Sequence, residues 1–349
     1  MASIPTTQKQ WILTPNPAGV GAVALVDGPV PELGPTDVLV NIKAASLNYK
    51  DHIVRLPTPF SPTVPTVPLS DGAGVVVATG AKVTRFAKGD RVAALFSPQA
   101  YTVGRYPVPG PSLGAQLDGT ARPYGAFDEQ SLVRIPDSIS FEEASTLPCA
   151  GVTAYNGLYG VKERAVRAGD WVLVEGTGGV SLFVLQLAKA AGASVVATTS
   201  SDAKAAKLKA LGADHVVNYK TDADWGASAR ALTPGGVGFD HIVDIGGHAT
   251  LPHSIKASRF GATITVVGKS DYSPNAPQEP DITTAIYFQT TFRGVQVGNR
   301  EHFEGLVASI EGTKWTPVVD KVFEFKDLEE AYKYLVSGSH VGKVVVKID

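Results

Sequence analysis

Sulfur is nearly absent from this 349-residue chain, which carries one cysteine, Cys149, and one methionine, Met1. A single thiol excludes any internal disulfide and fits a reducing compartment, so a cytoplasmic location is expected. An excess of charge of one sign is missing too: 31 Lys and Arg stand against 33 Asp and Glu, for a net charge of −2. That balance offers no basic face to nucleic acid or to an anionic membrane. No apolar run approaches the roughly 20 residues that a bilayer-spanning helix needs. The N-terminal Met-Ala-Ser-Ile-Pro-Thr-Thr-Gln-Lys-Gln has no apolar signal core. Internal repeats and long low-complexity tracts are also lacking. What remains is 44% hydrophobic and 18% charged, over a length sufficient for two cores, ordinary for a soluble enzyme.

The most specific stretch runs from Trp171 to Ala191. A short apolar run, Trp171-Val-Leu-Val, meets the cluster Gly176-Thr177-Gly178-Gly179, and an amphipathic helix begins at once with Val180-Ser181. Strand, tight turn and helix in that order aim backbone N–H groups and a positive helix end at a pyrophosphate. Gly176 and Gly178 occupy the first two fingerprint positions, and Ser181 stands where a third glycine is usual. A small side chain there still allows helix and strand to approach.

A second β-branched run, Ser194 to Thr199, follows about twenty residues on, where such a unit places its ribose reader. An NAD site puts Asp or Glu at this strand's end. Here Thr198, Thr199, Ser200, Ser201 and then Lys204 follow, and hydroxyls with an ammonium suit a 2′-phosphate. Asp202 lies past the strand, where capping a helix is its simpler role. NADPH is therefore preferred over NADH. The pattern repeats: a helix Ala203 to Leu211, a strand His215 to Asn218 followed by Tyr219 and Lys220, a strand Phe239 to Ile245 ended by Gly246-Gly247, and a strand Ala262 to Val267 ended by Gly268. Alternating strands and helices predict an α/β fold with a doubly wound parallel sheet whose carboxyl ends share one crevice.

The first half reads differently. Val38 to Ala44, Gly74 to Thr79 and Arg91 to Leu95 are short runs separated by turn residues, which predicts a small antiparallel, barrel-like β domain. Thr58 to Pro68 and Ser97 to Tyr124 are loops rich in Pro, Gly or Tyr, equally suited to a pocket wall or a surface excursion. Phe141 to Tyr159 reads as helical. Lys314 to Phe325 and Gly342 to Lys347 return to strand character around a helix Leu328 to Ser337.

Several segments in order, Ser46-Leu-Asn-Tyr-Lys-Asp, Asp71-Gly-Ala-Gly-Val-Val, Gly89-Asp-Arg-Val, Leu147-Pro-Cys-Ala-Gly-Val-Thr-Ala-Tyr, the glycine turn and Gly338-Ser-His-Val-Gly-Lys-Val-Val-Val, resemble the medium-chain dehydrogenase/reductase superfamily along essentially the whole chain. The resemblance implies a GroES-like β-barrel catalytic domain (1–145), a Rossmann NADP-binding domain (146–295) and a C-terminal return to the catalytic domain (296–349). Zinc members bind the metal through a cysteine, a histidine and a second cysteine or acid. Those positions fall at Leu47 or Asn48, at Ser70 and at Cys149, so one thiol remains and no metal site is expected. The four cysteines of the family's structural zinc loop are absent between Arg91 and Tyr124. The chain resembles the zinc-independent, quinone-oxidoreductase-like and enoyl-reductase-like branch, and Cys149 reads as a small buried apolar residue.

That branch implies roles residue by residue. Ser200, Ser201, Lys204 and Tyr219 match its 2′-phosphate pattern. Lys343 is a further candidate for that phosphate, or a solvated strand lysine. Thr153, Gly246, Gly268, Val295 and Val297 are placed along the nicotinamide-ribose half, with Val295 to Val297 as the last strand, which in the family pairs with its twin in a homodimer. Tyr49 falls at a proton-relay position and His52 at the relay's histidine. Tyr49 would hydrogen-bond a carbonyl or protonate an enolate, and Asn48 would orient ribose or substrate. Packing at the domain junction is the plainer role for Tyr49, and mutual pairing is the plainer one for Lys50 and Asp51. Tyr101, Tyr106 and Tyr124 are further pocket candidates. The expected activity is NADPH-dependent reduction of an activated C=C bond in an enone, enoyl thioester or quinone. The alternatives are a metal-free alcohol or carbonyl oxidoreductase and an NADPH-binding protein with a redox-neutral or non-enzymatic role.

Overall fold

The computed structural model describes residues 4–100, 110–268 and 282–348. The chain forms two compact units, one of residues up to Val152 together with those from Gly298 onward, the other from Thr153 to Val297. The breaks fall at 152/153 and 297/298, against 145/146 and 295/296 read from the sequence.

The first unit opens with a hairpin of β1 (Thr7–Thr14) and β2 (Ala22–Pro29). The long β3 (Asp37–Leu47) follows, then the single turn α1 (Tyr49–Ile53), β4 (Asp71–Thr79), β5 (Arg91–Ala94), β6 (Tyr124–Asp128), β7 (Leu132–Arg134) and α2 (Phe141–Ala144). The helix expected across 141–159 is interrupted: a π-type turn, Leu147–Gly151, separates α2 from α3 (Val152–Tyr159). Pro148 lies in that turn, where a missing N–H and a fixed φ disfavour a regular α-ladder.

The second unit alternates as its glycine punctuation predicts: β8 (Trp171–Val174), α4 (Gly179–Ala190), β9 (Ser194–Thr199), α5 (Asp202–Ala210), β10 (His215–Asn218), α6 (Trp225–Ala231), β11 (Phe239–Asp244), α7 (Leu251–Ala257), β12 (Ser258–Val266), α8 (Ala285–Phe288) and β13 (Thr291–Gly294). All its strand pairs are parallel, in the order β10-β9-β8-β11-β12-β13. The order reverses between β8 and β11, the switch point where open α/β sheets take ligands. Leu173, Val196, Phe239, Ile242 and Ile264 form the core between sheet and helices. The expected last strand, Val295 to Val297, is corrected: the strand ends at Gly294, and Val297 takes a left-handed φ of 53° that no strand accommodates.

The chain then returns to the first unit with α9 (Arg300–Thr313), β14 (Val319–Glu324), α10 (Leu328–Val336) and β15 (Lys343–Lys347). Strand character begins only at Val319 because Lys314, at φ 57°, closes α9 as a left-handed cap. β15 pairs antiparallel with β3, Val344 opposite Leu47, and completes the sheet β14-β15-β3-β4-β5-β7. α10 lays Leu328, Ala331, Tyr332 and Leu335 on this core, a stripe at helical spacing. Among the described residues no helix is long and apolar enough to cross a membrane.

Candidate functional site

In the second unit the glycine turn has the geometry that the sequence spacing demands. Gly176 takes φ +75°, a conformation that a side chain resists, and its N–H donates to Thr198 Oγ1 at 3.1 Å. Gly178 is the N-cap of α4, which has no side-chain cap, and a Cβ added there would meet nothing within 4 Å. The first amides of this twelve-residue helix thus have no side-chain cap, the arrangement that suits a phosphate. Thr177 is buried, while Gly179 and Val180 are half-buried in the first turn. Ser181 departs from the fingerprint for a visible reason: its buried hydroxyl donates to the Glu175 carbonyl at 2.6 Å, tying helix to strand where a glycine would only permit approach.

The carboxyl ends of β9 and β10 bring the selector residues together. Tyr219 N–H donates to Thr199 O at 3.0 Å, fixing Tyr219 beside Ser200. Thr198 is committed to Gly176, and Thr199 Oγ1 to the backbone of Ser201. Ser200 is therefore the hydroxyl of this corner open to a ligand, while Ser201 Oγ, which accepts a backbone bond, retains its proton to donate. Ser201, not Asp202, caps α5, accepting Lys204 N–H at 3.4 Å. Asp202 accepts from Asn218 Nδ2 at 3.2 Å, so the one acid near the strand end is already engaged. Lys204 stands in the first turn of α5, and the Lys220 ammonium lies 5.9 Å from the Tyr219 ring centroid.

Gly246 follows β11, Gly268 follows β12, and Val295 is buried just after β13, its N–H on Val266 O at 3.0 Å. Thr153 is buried on α3. One contact that the sequence did not reveal is Asn156, whose Nδ2 donates to Val297 O at 2.7 Å and whose Oδ1 accepts from Arg293 at 2.5 Å. It anchors the segment after β13 to α3. A second is a carboxyl pair, Glu175 and Asp244, which meet at the Ser254 hydroxyl at 2.6 and 2.8 Å. Burial, then the Asp244 charge, push Glu175 up to about 8.

The first unit holds a separate polar cluster at the end of β3. Asn48 is buried; its N–H donates to Asp51 Oδ2 at 2.7 Å and its Oδ1 accepts from Lys343 Nζ at 2.5 Å. Its Nδ2 meets hydrogen-bond geometry with no group, although the amide lies close enough to Asp71 to favour the ionised carboxylate. Lys343 Nζ also donates to Leu47 O at 2.6 Å, and Lys343 is only 3% exposed. This corrects the reading of Lys343 as a 2′-phosphate ligand or a solvated lysine: its ammonium is enclosed and used. Burial lowers the Lys343 pKa and raises that of Asp71, and each opposes the other's shift by its charge. Lys50 Nζ lies 3.4 Å from Asp51 Oδ1 and donates to Leu113 O at 2.8 Å.

Ser70 is fully buried and donates to Asp71 Oδ1 at 2.6 Å. Leu69 before it takes φ 68°, strain that a non-glycine residue tolerates only where its surroundings enforce it. Backbone packs directly on it: a Cβ at Gly119 would lie 1.9 Å from Leu69 O. Cys149 is half-buried rather than buried; its N–H donates to Asp71 Oδ2 at 3.1 Å, and burial followed by the Asp71 charge pushes its thiol far up. Tyr49 begins α1 and is 55% exposed, its ring 6.0 Å from that of His52. Burial, then Arg55, lower the His52 pKa, so the ring is neutral near pH 7. Tyr124 is half-buried on β6, while Tyr101 and Tyr106 lie outside the described residues.

The chain matches the family models for an alcohol dehydrogenase GroES-like domain over residues 34–137 and a zinc-binding dehydrogenase over residues 179–312. It is 44% identical over 329 residues to a zinc-type alcohol dehydrogenase-like protein of Schizosaccharomyces pombe, covering 91% of this chain and 92% of that one. It is 32% identical over 352 residues to a 2-methylene-furan-3-one reductase of Solanum lycopersicum, covering 99% and 80%. A putative alcohol dehydrogenase from Sinorhizobium meliloti superposes with a TM-score of 0.91 at 37% identity, covering 99% of this chain and 100% of that one. With relatives this similar along nearly its whole length, the chain belongs to the medium-chain dehydrogenase/reductase superfamily and is an oxidoreductase of that family.

Proposed function

We propose that the protein is a zinc-independent, NADPH-dependent reductase of an activated C=C bond in a small molecule, an enone, enoyl thioester or quinone. The carrying observation for the cofactor is the corner of Ser200, Ser201, Lys204, Tyr219 and Lys220, with its nearest acid, Asp202, held by Asn218. Donors and ammonium groups there favour a 2′-phosphate over a bare ribose hydroxyl.

What supports chemistry without zinc is the donor set. Leu47 offers no ligand atom, Asn48 Oδ1 is taken by Lys343, Ser70 donates to Asp71, and the Cys149 thiol holds its proton. The Lys343 ammonium inside the same cluster opposes a second cation. These residues do not fit the metal that one matching family model is described by.

With the dinucleotide's pyrophosphate on the glycine turn, its reduced nicotinamide would supply hydride. The chain's own task is then to stabilise the oxygen that gains charge. Tyr49, exposed at the head of α1, would donate its hydroxyl to that oxygen, and the neutral His52 ring beside it would relay the proton. Asn48, buried with its amide close to Asp71 and its N–H on Asp51, would act by fixing the start of α1 beneath Tyr49. We also place a homodimer at β13, the last strand of its sheet, where α8 exposes Ile286 and Tyr287.

A second reading is a metal-free alcohol or carbonyl oxidoreductase: the names of the Schizosaccharomyces pombe and Sinorhizobium meliloti relatives favour the alcohol substrate, and the donor set above favours chemistry without the metal. Turnover of an enone panel against an alcohol and aldehyde panel, with NADPH and NADH in parallel, separates the two. Faster turnover of the alcohol or aldehyde overturns the C=C reading.

A further inference from the structure

Ser254 has one hydroxyl proton and two carboxyl neighbours, Glu175 Oε1 at 2.6 Å and Asp244 Oδ2 at 2.8 Å. If both acids were ionised, one of these contacts would be a close oxygen–oxygen approach with no hydrogen between them. A single retained proton removes the conflict: one acid donates to Ser254 Oγ, which donates to the other. The remaining partners say which is which. Asp244 Oδ1 accepts from Gly247 N–H at 2.8 Å and Thr250 Oγ1 at 2.9 Å, whereas Glu175 Oε2 accepts a longer bond from Ile245 N–H at 3.3 Å and lies within weaker reach of the same Thr250 hydroxyl. Asp244, with more and shorter donors, is the better-stabilised anion, and Glu175 carries the proton.

Among the described residues no cation answers a second charge. On β11, Asp240 pairs with Arg259 of β12 and His241 with Asp170. On α7, His253 stacks on Trp225 and Lys256 pairs with Asp224. The single charge of α4, Lys189, pairs with Asp214. His248, on the turn between Asp244 and Ser254, makes no ion pair with either acid among the described residues. β8 and β9 carry no charged side chain.

The position gives the proton a task. Glu175 immediately precedes Gly176, and its carbonyl holds Ser181 of the phosphate-facing helix. Asp244 immediately precedes the Ile245-Gly246-Gly247 loop and fixes both Gly247 and Thr250. We propose that Glu175 and Asp244 share one proton through Ser254, that this proton locks the glycine turn to the loop after β11, and that dinucleotide affinity falls when it leaves. The affinity half rests on the cofactor reading above, while the locking half does not.

The sign follows from linkage. Glu175 keeps its proton up to about 8 in the folded protein, against an ordinary 4.5. The folded protein therefore binds a proton that the unfolded chain releases. The stabilisation is fully present below about pH 4.5 and is lost progressively as the pH rises to about 8.

Two arms test this on the full chain. Thermal melting without nucleotide between about pH 5 and pH 9 should show Tm falling with pH in the parent. Glu175→Gln, an isosteric amide that cannot ionise, should lack that slope, and Asp244→Asn serves as the second variant should the first fail to fold. Calorimetric titration with NADPH, in two buffers of different ionisation enthalpy, should show proton uptake by the parent near pH 8. The apparent Kd should rise about tenfold from pH 7 to pH 9 if only the protonated pair binds. Glu175→Gln should show neither effect. A parent melting profile that parallels Glu175→Gln overturns the shared proton. NADPH binding without proton uptake overturns the link to affinity. A melting slope present in a protein that binds no dinucleotide supports the shared proton and sinks the cofactor reading instead.

Discussion

Replacing Lys343 with methionine keeps the aliphatic length of the side chain and removes its ammonium. In the folded protein that group donates to Leu47 O and Asn48 Oδ1 and offsets the fully buried Asp71. Its loss strands a carboxylate and two acceptors in an interior site. Breaking a buried charge pair by removing one partner costs about 3–5 kcal/mol, and the orphaned acceptors fall within that range rather than adding to it. The unit concerned has roughly two hundred residues, and such a unit loses about 2–4 °C of Tm per kcal/mol. Lys343→Met should therefore lower the Tm by about 10 °C in a calorimetric scan at neutral pH. Adding Asp71→Asn removes the uncompensated charge and should restore most of the loss. A single variant within about 2 °C of the parent, or a double variant less stable than the single one, would refute the idea that this ammonium balances Asp71.

Tyr49→Phe should fold normally, since the ring is 55% exposed, and should lower kcat by about a hundredfold with NADPH affinity kept; unchanged turnover removes Tyr49 from the mechanism. Lys204→Ala should weaken NADPH binding by about tenfold or more, the worth of a charge-assisted hydrogen bond, and leave NADH binding unchanged. Equal losses for both cofactors would place the 2′-phosphate elsewhere. Cys149 should resist alkylation at pH 8 in the folded protein, because burial and Asp71 hold its proton; rapid labelling, read by mass spectrometry, would contradict the closed polar cluster.

Features set by local backbone chemistry were legible in the sequence. The turn at Gly176 needs a positive φ and the helix behind it starts without a side-chain cap, and both requirements mark the residues themselves. The edges of β9 and β10 followed from β-branched runs ended by hydroxyls and Tyr219. Where a non-glycine residue adopts a left-handed φ the pattern misleads: Val297 and Lys314 read as strand, and one follows β13 while the other caps α9. The reading of Lys343 went astray for a register reason. Val344 lies opposite Leu47 across β15 and β3, which sets Lys343 against Asn48, and nothing local to Gly342-Lys343-Val344 encodes that pairing. The Glu175–Asp244–Ser254 contact was invisible because it joins the ends of two strands and a helix far apart in the chain, and two isolated acids in a sequence look like solvated ones.

The most direct test of the account follows NADPH and NADH absorbance with purified protein of known metal content, against an enone, an enoyl thioester, a quinone and an aldehyde. The account predicts turnover of a C=C acceptor or quinone with NADPH and without stoichiometric zinc. Preference for NADH, dependence on zinc, or turnover of the aldehyde alone would contradict it.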